Sequence, residues 1–312
     1  MSNLIAVTGA TGFIGRTVCR ILHEQGWRVR VLVRSKARLR ALDGLSDEQV
    51  YGHIADPEAL QALVKDSLAV VHLAGAVRGA TQDDFDCVNV EGVRHLVEAV
   101  ARCPKPPRLL CLSSLAAREP QLSFYAASKR RGEQVLEQQA GQLCWMALRP
   151  PAVYGPGDKE LLPVFRLMAR GIALVPGCRE ARFSMIHVDD LAAAILAWLQ
   201  QADVPSGIYT LHDGREGGYC WTDVATIVSH LCGRRVREIV IPAALLQLPA
   251  WLNRGLARLF GYAPMLTPEK LCELSHADWV CDNEDIQKVL DWQPRIQLQD
   301  GLRGTPGWCV FK

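Results

Sequence analysis

Along the first half of the chain, apolar and polar positions switch repeatedly between two periods. Leu4-Ile5-Ala6-Val7 is a short apolar run, and after a glycine-spaced turn Ile14, Val18, Ile21 and Leu22 recur at helical spacing. Arg28-Val29-Arg30-Val31-Leu32-Val33 returns to period two, Val50–Ile54 reads as a third strand, and Leu109–Leu112 as a fifth. The fourth, Ala69 to Gly75, is nearly all apolar, as expected of a parallel strand covered on both faces. Phe85 to Arg102 is helical by period, with Val88, Gly92, Leu96 and Val100 on one stripe. A further amphipathic helix opens at Tyr125 and runs to about Gln139, before a sixth strand at Leu143–Leu148. Strand and helix alternating in this way predict an α/β fold built on a doubly wound parallel sheet. From Gly207 the elements shorten, as in a smaller lobe interleaved with returns to the main sheet: Ile208–Leu211, a helix Trp221–Leu231, Val236–Ile241, then Ala243 to about Phe260. The expected division is a main domain over 1–155 with a return near 183–202, and a smaller C-terminal lobe from 156–182 and 203–312.

The turn after the first strand is where chemistry enters. Gly9 allows a tight turn, Gly12 lets backbone approach a pyrophosphate with no Cβ between, and Gly15 permits close helix–strand packing. The helix starting there would aim its free N–H groups and positive dipole end at phosphates, so the stretch reads as the dinucleotide cradle of a Rossmann sheet. The second strand ends at Arg34, followed by Ser35, Lys36 and Arg38, with no carboxylate before Asp43. Basic residues there suit a 2′-phosphate, so NADP(H) is preferred over NAD(H). Asp56 could reach the adenine edge, and Asp56-Pro57 is equally a helix start. Leu73, Ala74 and Gly75 would lie beside the cofactor, while His72 inside the strand end reads as a packing residue.

Tyr125 and Lys129 lie four residues apart on one helix face. A phenol is a poor acid or base near neutrality, and a nearby ammonium together with an oxidised nicotinamide is expected to favour phenolate.

Composition narrows the partners. The 312 residues carry a formal charge of +2, which gives no reason to expect nucleic acid or a membrane surface as a general partner, and the expected partner is a small-molecule substrate. The eleven cysteines are scattered singly without ligand spacing, so neither a metal nor a disulfide framework is expected. No charged, apolar leader precedes the first strand, and the expected location is the cytoplasm. The apolar run Ile239 to Phe260 is broken by Pro242, Pro249, Arg254 and Arg258 and cannot span a membrane. Three readings of it stay open: a helix packed on the core, a lid over an apolar substrate, or an interfacial helix.

These motifs together resemble the extended branch of the short-chain dehydrogenase/reductase superfamily, which also holds NAD-dependent epimerases and dehydratases. Thr8-Gly9-Ala10-Thr11-Gly12-Phe13-Ile14-Gly15 matches its Thr-Gly-x-x-Gly-x-x-Gly motif, so that Thr11, Phe13 and Ile14 join the glycines at the cofactor. Asn89-Val90-Glu91-Gly92 matches its helix-four signature and Tyr125…Lys129 its catalytic pair. The resemblance implies that Ser114 hydrogen-bonds the reacting oxygen and Tyr125 is the acid/base. It further implies that Lys129 holds the nicotinamide ribose while tuning Tyr125, and that Asn89 supports the cofactor region. Arg149-Pro150-Pro151-Ala152-Val153-Tyr154-Gly155-Pro156 resembles the family turn whose backbone meets the nicotinamide amide, which brings in Pro151 and Val153. Phe183 to Asp190 resembles the return strand, with Asp189-Asp190 capping the helix Leu191–Leu199 and joining domains.

Two departures bear on the reaction. Sugar-nucleotide members usually carry Asn where Ala152 stands, and only ten residues separate Ser114 from Tyr125, leaving little wall around a sugar. The expected function is hydride transfer between NADP(H) and a secondary alcohol or ketone of a bulky, apolar substrate, as in hydroxysteroid-dehydrogenase and dihydroflavonol-reductase-like members. The alternatives are a nucleotide-sugar epimerase or dehydratase, and a non-catalytic NADP-binding regulator or assembly factor. A homodimer through Phe85–Arg102 and Tyr125–Gln139 is implied by the resemblance.

Overall fold

The computed structural model describes residues 3–260, 262, 264 and 267–309. Its main sheet contains β1 (Leu4–Thr8), β2 (Arg28–Val33), β3 (Glu48–Tyr51), β4 (Ala69–His72), β5 (Arg108–Leu112) and β6 (Trp145–Arg149), joined by the later strand Gly207–Thr210. In space the order is Gly207–Thr210, β6, β5, β4, β1, β2, β3, and every neighbouring pair is parallel. The chain winds outward from β1 through β2 to β3, then returns to β4 on the other side of β1. The carboxyl ends of β1 and β4 therefore open a crevice where a ligand can sit.

Connecting helices cover both faces. α1 (Phe13–Glu24) and the helix Val188–Gln200 pack one face, with Val18, Leu22, Leu191, Ile195 and Trp198 in a core shared with Ile286 and Leu290. After α2 (Lys36–Leu39), the helices α3 (Pro57–Val64), α4 (Gln82–Asn89), α5 (Glu91–Ala101) and α6 (Phe124–Gln139) follow in order, and Leu60, Leu63, Leu96, Val100, Val135 and Leu136 fill the other face. Burial on both sides explains the nearly uninterrupted apolar run of β4. A separate core gathers Tyr154, Phe165, Met168, Tyr219, Val228, Leu298 and Leu302.

Several boundaries differ from expectation, each with a local cause. β3 is Glu48–Tyr51 rather than Val50–Ile54, because the chain turns at Gly52, where a Cβ would lie 2.4 Å from that of Ala59, and continues to the Asp56 helix cap. The expected helix Phe85 to Arg102 is two helices, α4 and α5, meeting at Val90. At that junction α6 crosses so closely that a Cβ on Gly132 would meet the Asn89 carbonyl oxygen at 2.4 Å. Residues 207–210, expected in the smaller lobe, form the edge strand of the main sheet beside β6. Asp189 and Asp190 lie inside the first turn of Val188–Gln200, and the cap is His187, whose ring accepts from the Asp189 N–H at 3.3 Å. Asp189 pairs with Arg20 of α1 at 2.6 Å, and Asp190 accepts from the backbone N–H groups of Arg295 and Ile296 at 3.0 and 2.8 Å. The two carboxylates join segments distant in sequence.

The helix Ala243–Phe260 departs most from a core-packing expectation. Its inward side is small, with Ala250 and Ala257 buried, while Leu245, Leu248, Leu252 and Leu259 are between 60% and 76% exposed. No helix among the described residues is long and apolar enough to cross a membrane.

Candidate active site

The cradle forms where the glycine spacing places it. Gly9 adopts φ +71°, and a Cβ there would stand 2.5 Å from the Ala74 nitrogen, so only glycine lets the β1 turn approach the strand-four loop. Gly15 is closer still, since its Cβ would be 2.2 Å from the Gly9 oxygen. Gly12 differs: a Cβ there would meet only that same oxygen, at 3.2 Å, and otherwise open space. No side chain caps α1 and no acidic residue lies in its first turn. An uncapped helix start with an open glycine fits a pyrophosphate, whose charge would meet N–H donors and a positive dipole end.

Around the cradle stand the other expected residues. Thr11, Phe13 and Ile14 line the turn and helix start, all part-exposed. Arg34 follows β2 directly and is exposed, as is Lys36 at the start of α2, and no described residue pairs with either. The side chain of Arg38 lies outside the described residues. Asp56 caps α3, accepting from the Ala59 N–H at 3.1 Å through one carboxyl oxygen. Leu73 and Ala74 hang from β1 through backbone donation to the Thr8 carbonyl and hydroxyl. Gly75 is the point of contact with α6, a Cβ there lying 3.1 Å from the Lys129 Nζ. Pro151 and Val153 flank Ala152 after β6, both part-exposed, with Val153 in a short strand, Ala152–Tyr154, that pairs with Met185–His187.

His72 lies fully inside the strand end, its ring sharing a 2.7 Å hydrogen bond with the Thr8 hydroxyl. Burial, and then the Lys129 charge, push its pKa down to about 3. It is a neutral packing residue.

Ser114, Tyr125 and Lys129 converge at the carboxyl ends of β4 and β5. Ser114 begins a short 3-10 turn, Leu115–Arg118, its hydroxyl accepting from the Ala116 N–H at 3.2 Å. That hydroxyl also engages the Tyr125 phenol and draws its pKa down, but burial dominates and the Glu273 carboxylate adds to it, raising the phenol to about 12. Burial thus keeps the Tyr125 phenol protonated. The Lys129 ammonium donates to the Leu112 carbonyl at 2.9 Å. Burial lowers its pKa to about 8, against the opposing pull of Cys111 and Glu133.

Asn89 is fully occupied. Its amide accepts from the Ala76 N–H at 2.8 Å and donates to the Ala76 carbonyl and the Ser128 hydroxyl, each at 2.9 Å. Ser128 in turn donates to the Tyr125 carbonyl at 2.7 Å. Asn89 thus ties the loop after β4 to the turn of α6 that carries Tyr125 and Lys129.

Some site residues escaped the sequence reading. Glu133 is buried beneath the Ser113-Ser114 strand end, accepting from the Ser113 hydroxyl at 2.5 Å and from Arg149 at 2.7 and 2.6 Å. The spacing Tyr125, Lys129, Glu133 was a readable signal, because steps of four put all three on one helix face. Lys270 and Glu273, on the helix Pro268–Leu274, had no such signal. The Lys270 ammonium lies 5.5 Å from the centre of the Tyr125 ring and bonds both oxygens of Glu273, which also accepts from Ser123, the cap of α6. They line a small cleft with Arg78, Phe85 and Tyr125.

A phosphate cradle at the sheet's switch point, with a serine, a tyrosine and a lysine at the neighbouring strand ends, defines a nicotinamide-dependent oxidoreductase. The chain belongs to the NAD dependent epimerase/dehydratase family, whose model matches residues 5–211, and thus to the extended short-chain dehydrogenase/reductase type. It is 36% identical over 305 residues to a ceramide reductase of Caulobacter vibrioides, covering 98% of this chain and 94% of that one. A 2-alkyl-3-oxoalkanoate reductase of Stenotrophomonas maltophilia is 30% identical over 61% of this chain and 63% of its own length. Among solved structures, that of gox2253 has the same fold, with a TM-score of 0.74 at 24% identity over 97% of both chains.

Proposed function

We propose that the protein is an NADP(H)-dependent reductase acting on the ketone of a bulky lipid substrate of the ceramide type. The observation that carries the reaction class is geometric: the buried Tyr125 phenol stands beside the Ser114 hydroxyl, one helical turn from the Lys129 ammonium fixed on the Leu112 carbonyl. A protonated phenol is ready to give its proton to a carbonyl oxygen as that oxygen gains charge.

When bound, the nicotinamide supplies the hydride. Ser114 Oγ holds the carbonyl oxygen and orients it toward Tyr125 Oη, which gives up the proton. Lys129, with its ammonium fixed by the Leu112 carbonyl at 2.9 Å, presents a positive charge near Gly75, where the cofactor ribose would lie. That charge favours the phenolate left behind and so eases proton release. Asn89 and Ser128 hold the backbone of this turn rather than the substrate. Arg34 and Lys36, exposed and with no carboxylate partner among the described residues, support the phosphorylated cofactor. Asp56, Pro151 and Val153 are assigned to the adenine and nicotinamide ends.

The substrate class rests on the ceramide reductase relative, which matches nearly the whole chain. The cleft beside Tyr125 is consistent with it, because Lys270 and Glu273 offer charged hydrogen-bonding groups to an amide and hydroxyl head. Ala152, in place of an asparagine that would hold a diphosphate, weighs against a nucleotide sugar.

The test is NADPH and NADH oxidation with a short-chain ceramide whose C3 hydroxyl has been oxidised to the ketone. Tyr125→Phe is expected to bind NADPH as the wild type does and to lose about 10²–10⁴ in kcat. Unchanged turnover would remove Tyr125 from the chemistry, a preference for NADH would remove the Arg34 reading, and inert ketone lipid would remove the substrate class.

A further inference from the structure

We infer that the outward face of the helix Ala243–Phe260 docks on an anionic membrane surface. The helix is amphipathic with its polarity inverted. Leu245, Leu248, Leu252, Leu256 and Leu259 recur three or four residues apart on one stripe, exposed by 69%, 68%, 60%, 48% and 76%. Trp251 and Phe260, at 55% and 71%, widen that stripe on either side. The side turned toward the protein carries Ala250, Ala257 and Arg254, all buried. A lid would turn its large apolar residues inward over the substrate, and a core helix would bury them. Neither arrangement is present, so this surface is complementary to something outside the chain.

Charge identifies the occupant. From Leu231 to Phe260 the sequence holds five arginines, Arg234, Arg235, Arg237, Arg254 and Arg258, against a single acid, Glu238; Arg254 is turned inward onto Glu269, so the outward charge is carried by the segment leading into the helix. Arg235 and Arg237 are exposed on the segment leading into the helix, in a strand whose Ile239 and Val240 are also exposed, at 41% and 37%. A second copy packed by two-fold symmetry would set this basic, apolar patch against itself, with like charges facing and only Glu238, already paired with Arg179, as an acid among them. An anionic lipid surface satisfies both features, taking leucine, tryptophan and phenylalanine into the acyl boundary while phosphates meet the exposed Arg235 and Arg237. The contact is interfacial, since Pro249 and Arg254 interrupt the apolar run and no described helix is long and apolar enough to span.

The helix is coupled to the site. Arg254 stacks on Trp251, 4.0 Å from its ring centre, and pairs with Glu269 on the helix Pro268–Leu274. That same helix carries Lys270 and Glu273 to the cleft beside Tyr125. A docked face would therefore hold the cleft near the lipid boundary. The inference stands whether or not the substrate is a ceramide, because docking is measured without turnover.

The experiment is co-sedimentation of the full chain with vesicles of phosphatidylcholine alone or mixed with phosphatidylglycerol, at low and high salt, alongside sedimentation velocity without lipid. Wild type is expected to pellet with the mixed vesicles, more weakly in high salt and with phosphatidylcholine alone. Leu248→Asp/Leu252→Asp is expected to weaken binding at least about tenfold, as is Leu245→Asp/Leu256→Asp, with far-UV circular dichroism and the urea midpoint unchanged. Failure of the wild type to pellet, equal pelleting of the folded variants, or equal binding to both vesicle types would overturn the inference. So would a lipid-free dimer that these substitutions split, which would show that a second copy covers the face.

Discussion

Lys129 makes stability depend on pH in a direction that can be worked out. Its ammonium is held 2.9 Å from the Leu112 carbonyl, and burial lowers its pKa from 10.5 to about 8. Between those values the unfolded chain binds the proton that the folded chain has released. The cofactor-free protein should therefore gain stability as pH rises through this window, and the gain is absent below the lower value. At about 1.4 kcal/mol per pKa unit, the full gap is worth up to about 3 kcal/mol. Lys129→Met keeps most of the side-chain volume and abolishes the titration, while leaving the Leu112 carbonyl without its donor at a cost of about 1–3 kcal/mol. The variant should match the wild type to within about 2 kcal/mol near pH 7, since the lost hydrogen bond and the relief of a buried charge oppose each other. Toward pH 10 the wild type should gain on the variant by up to about 3 kcal/mol. Urea unfolding followed by tryptophan fluorescence at four or so pH values across this span measures the difference. Other titrating groups are common to both proteins and cancel. Parallel stability profiles for the two would refute the depressed lysine and with it the argument that this charge is held in place against its own solvation.

Two further outcomes follow from the same geometry. Glu133→Ala strands Arg149 and Ser113 without their buried acceptor, and urea unfolding should show a loss of about 3–5 kcal/mol; a loss under about 1 kcal/mol would mean that the pair is effectively solvated. Gly15→Ala forces a methyl to 2.2 Å from the Gly9 oxygen and should cost about 1–3 kcal/mol of stability. Gly12→Ala meets that oxygen only at 3.2 Å, so it should unfold at nearly the wild-type midpoint yet bind NADPH at least about tenfold more weakly by fluorescence titration. A Gly12→Ala protein with unchanged affinity would place the pyrophosphate elsewhere.

What could be read from the sequence was whatever short-range pattern encodes. Leu4–Thr8 and the glycines after it announce themselves because a buried parallel strand and a tight turn each restrict residue type over a few positions. Tyr125 and Lys129 were legible because one helix carries both. Boundaries set by a partner element were not: α4 and α5 separate where α6 presses Gly132 against Asn89, a contact across more than forty residues. The same holds for the strand Gly207–Thr210, which belongs to the main sheet only because the β6 edge is free to pair with it. Lys270 and Glu273 reach Tyr125 from some 145 residues away, and no local period marks them. The apolar run at Ile239–Phe260 was visible as composition, but which side faces outward depends on Ala250 and Ala257 packing inward.

The protonation states in the crevice carry an argument of their own. Burial drives His72 and Lys129 down, to about 3 and about 8, and Tyr125 up, to about 12. In each case the neutral form is favoured over the charged one. His72 settles the conflict by staying neutral against Thr8, which serves packing. Lys129 cannot do so fully at neutral pH, because its value still leaves most of it charged, and its single described hydrogen bond goes to a backbone carbonyl. Burying an ammonium that stays charged costs free energy that its one described hydrogen bond only offsets, so packing by itself gives no reason for a lysine there. Asn89 and Ser128 hold the backbone that keeps Lys129 and Tyr125 at the cradle's edge. That a fold orders this much structure around two costly polar groups supports the proposed role of Tyr125 as the proton donor.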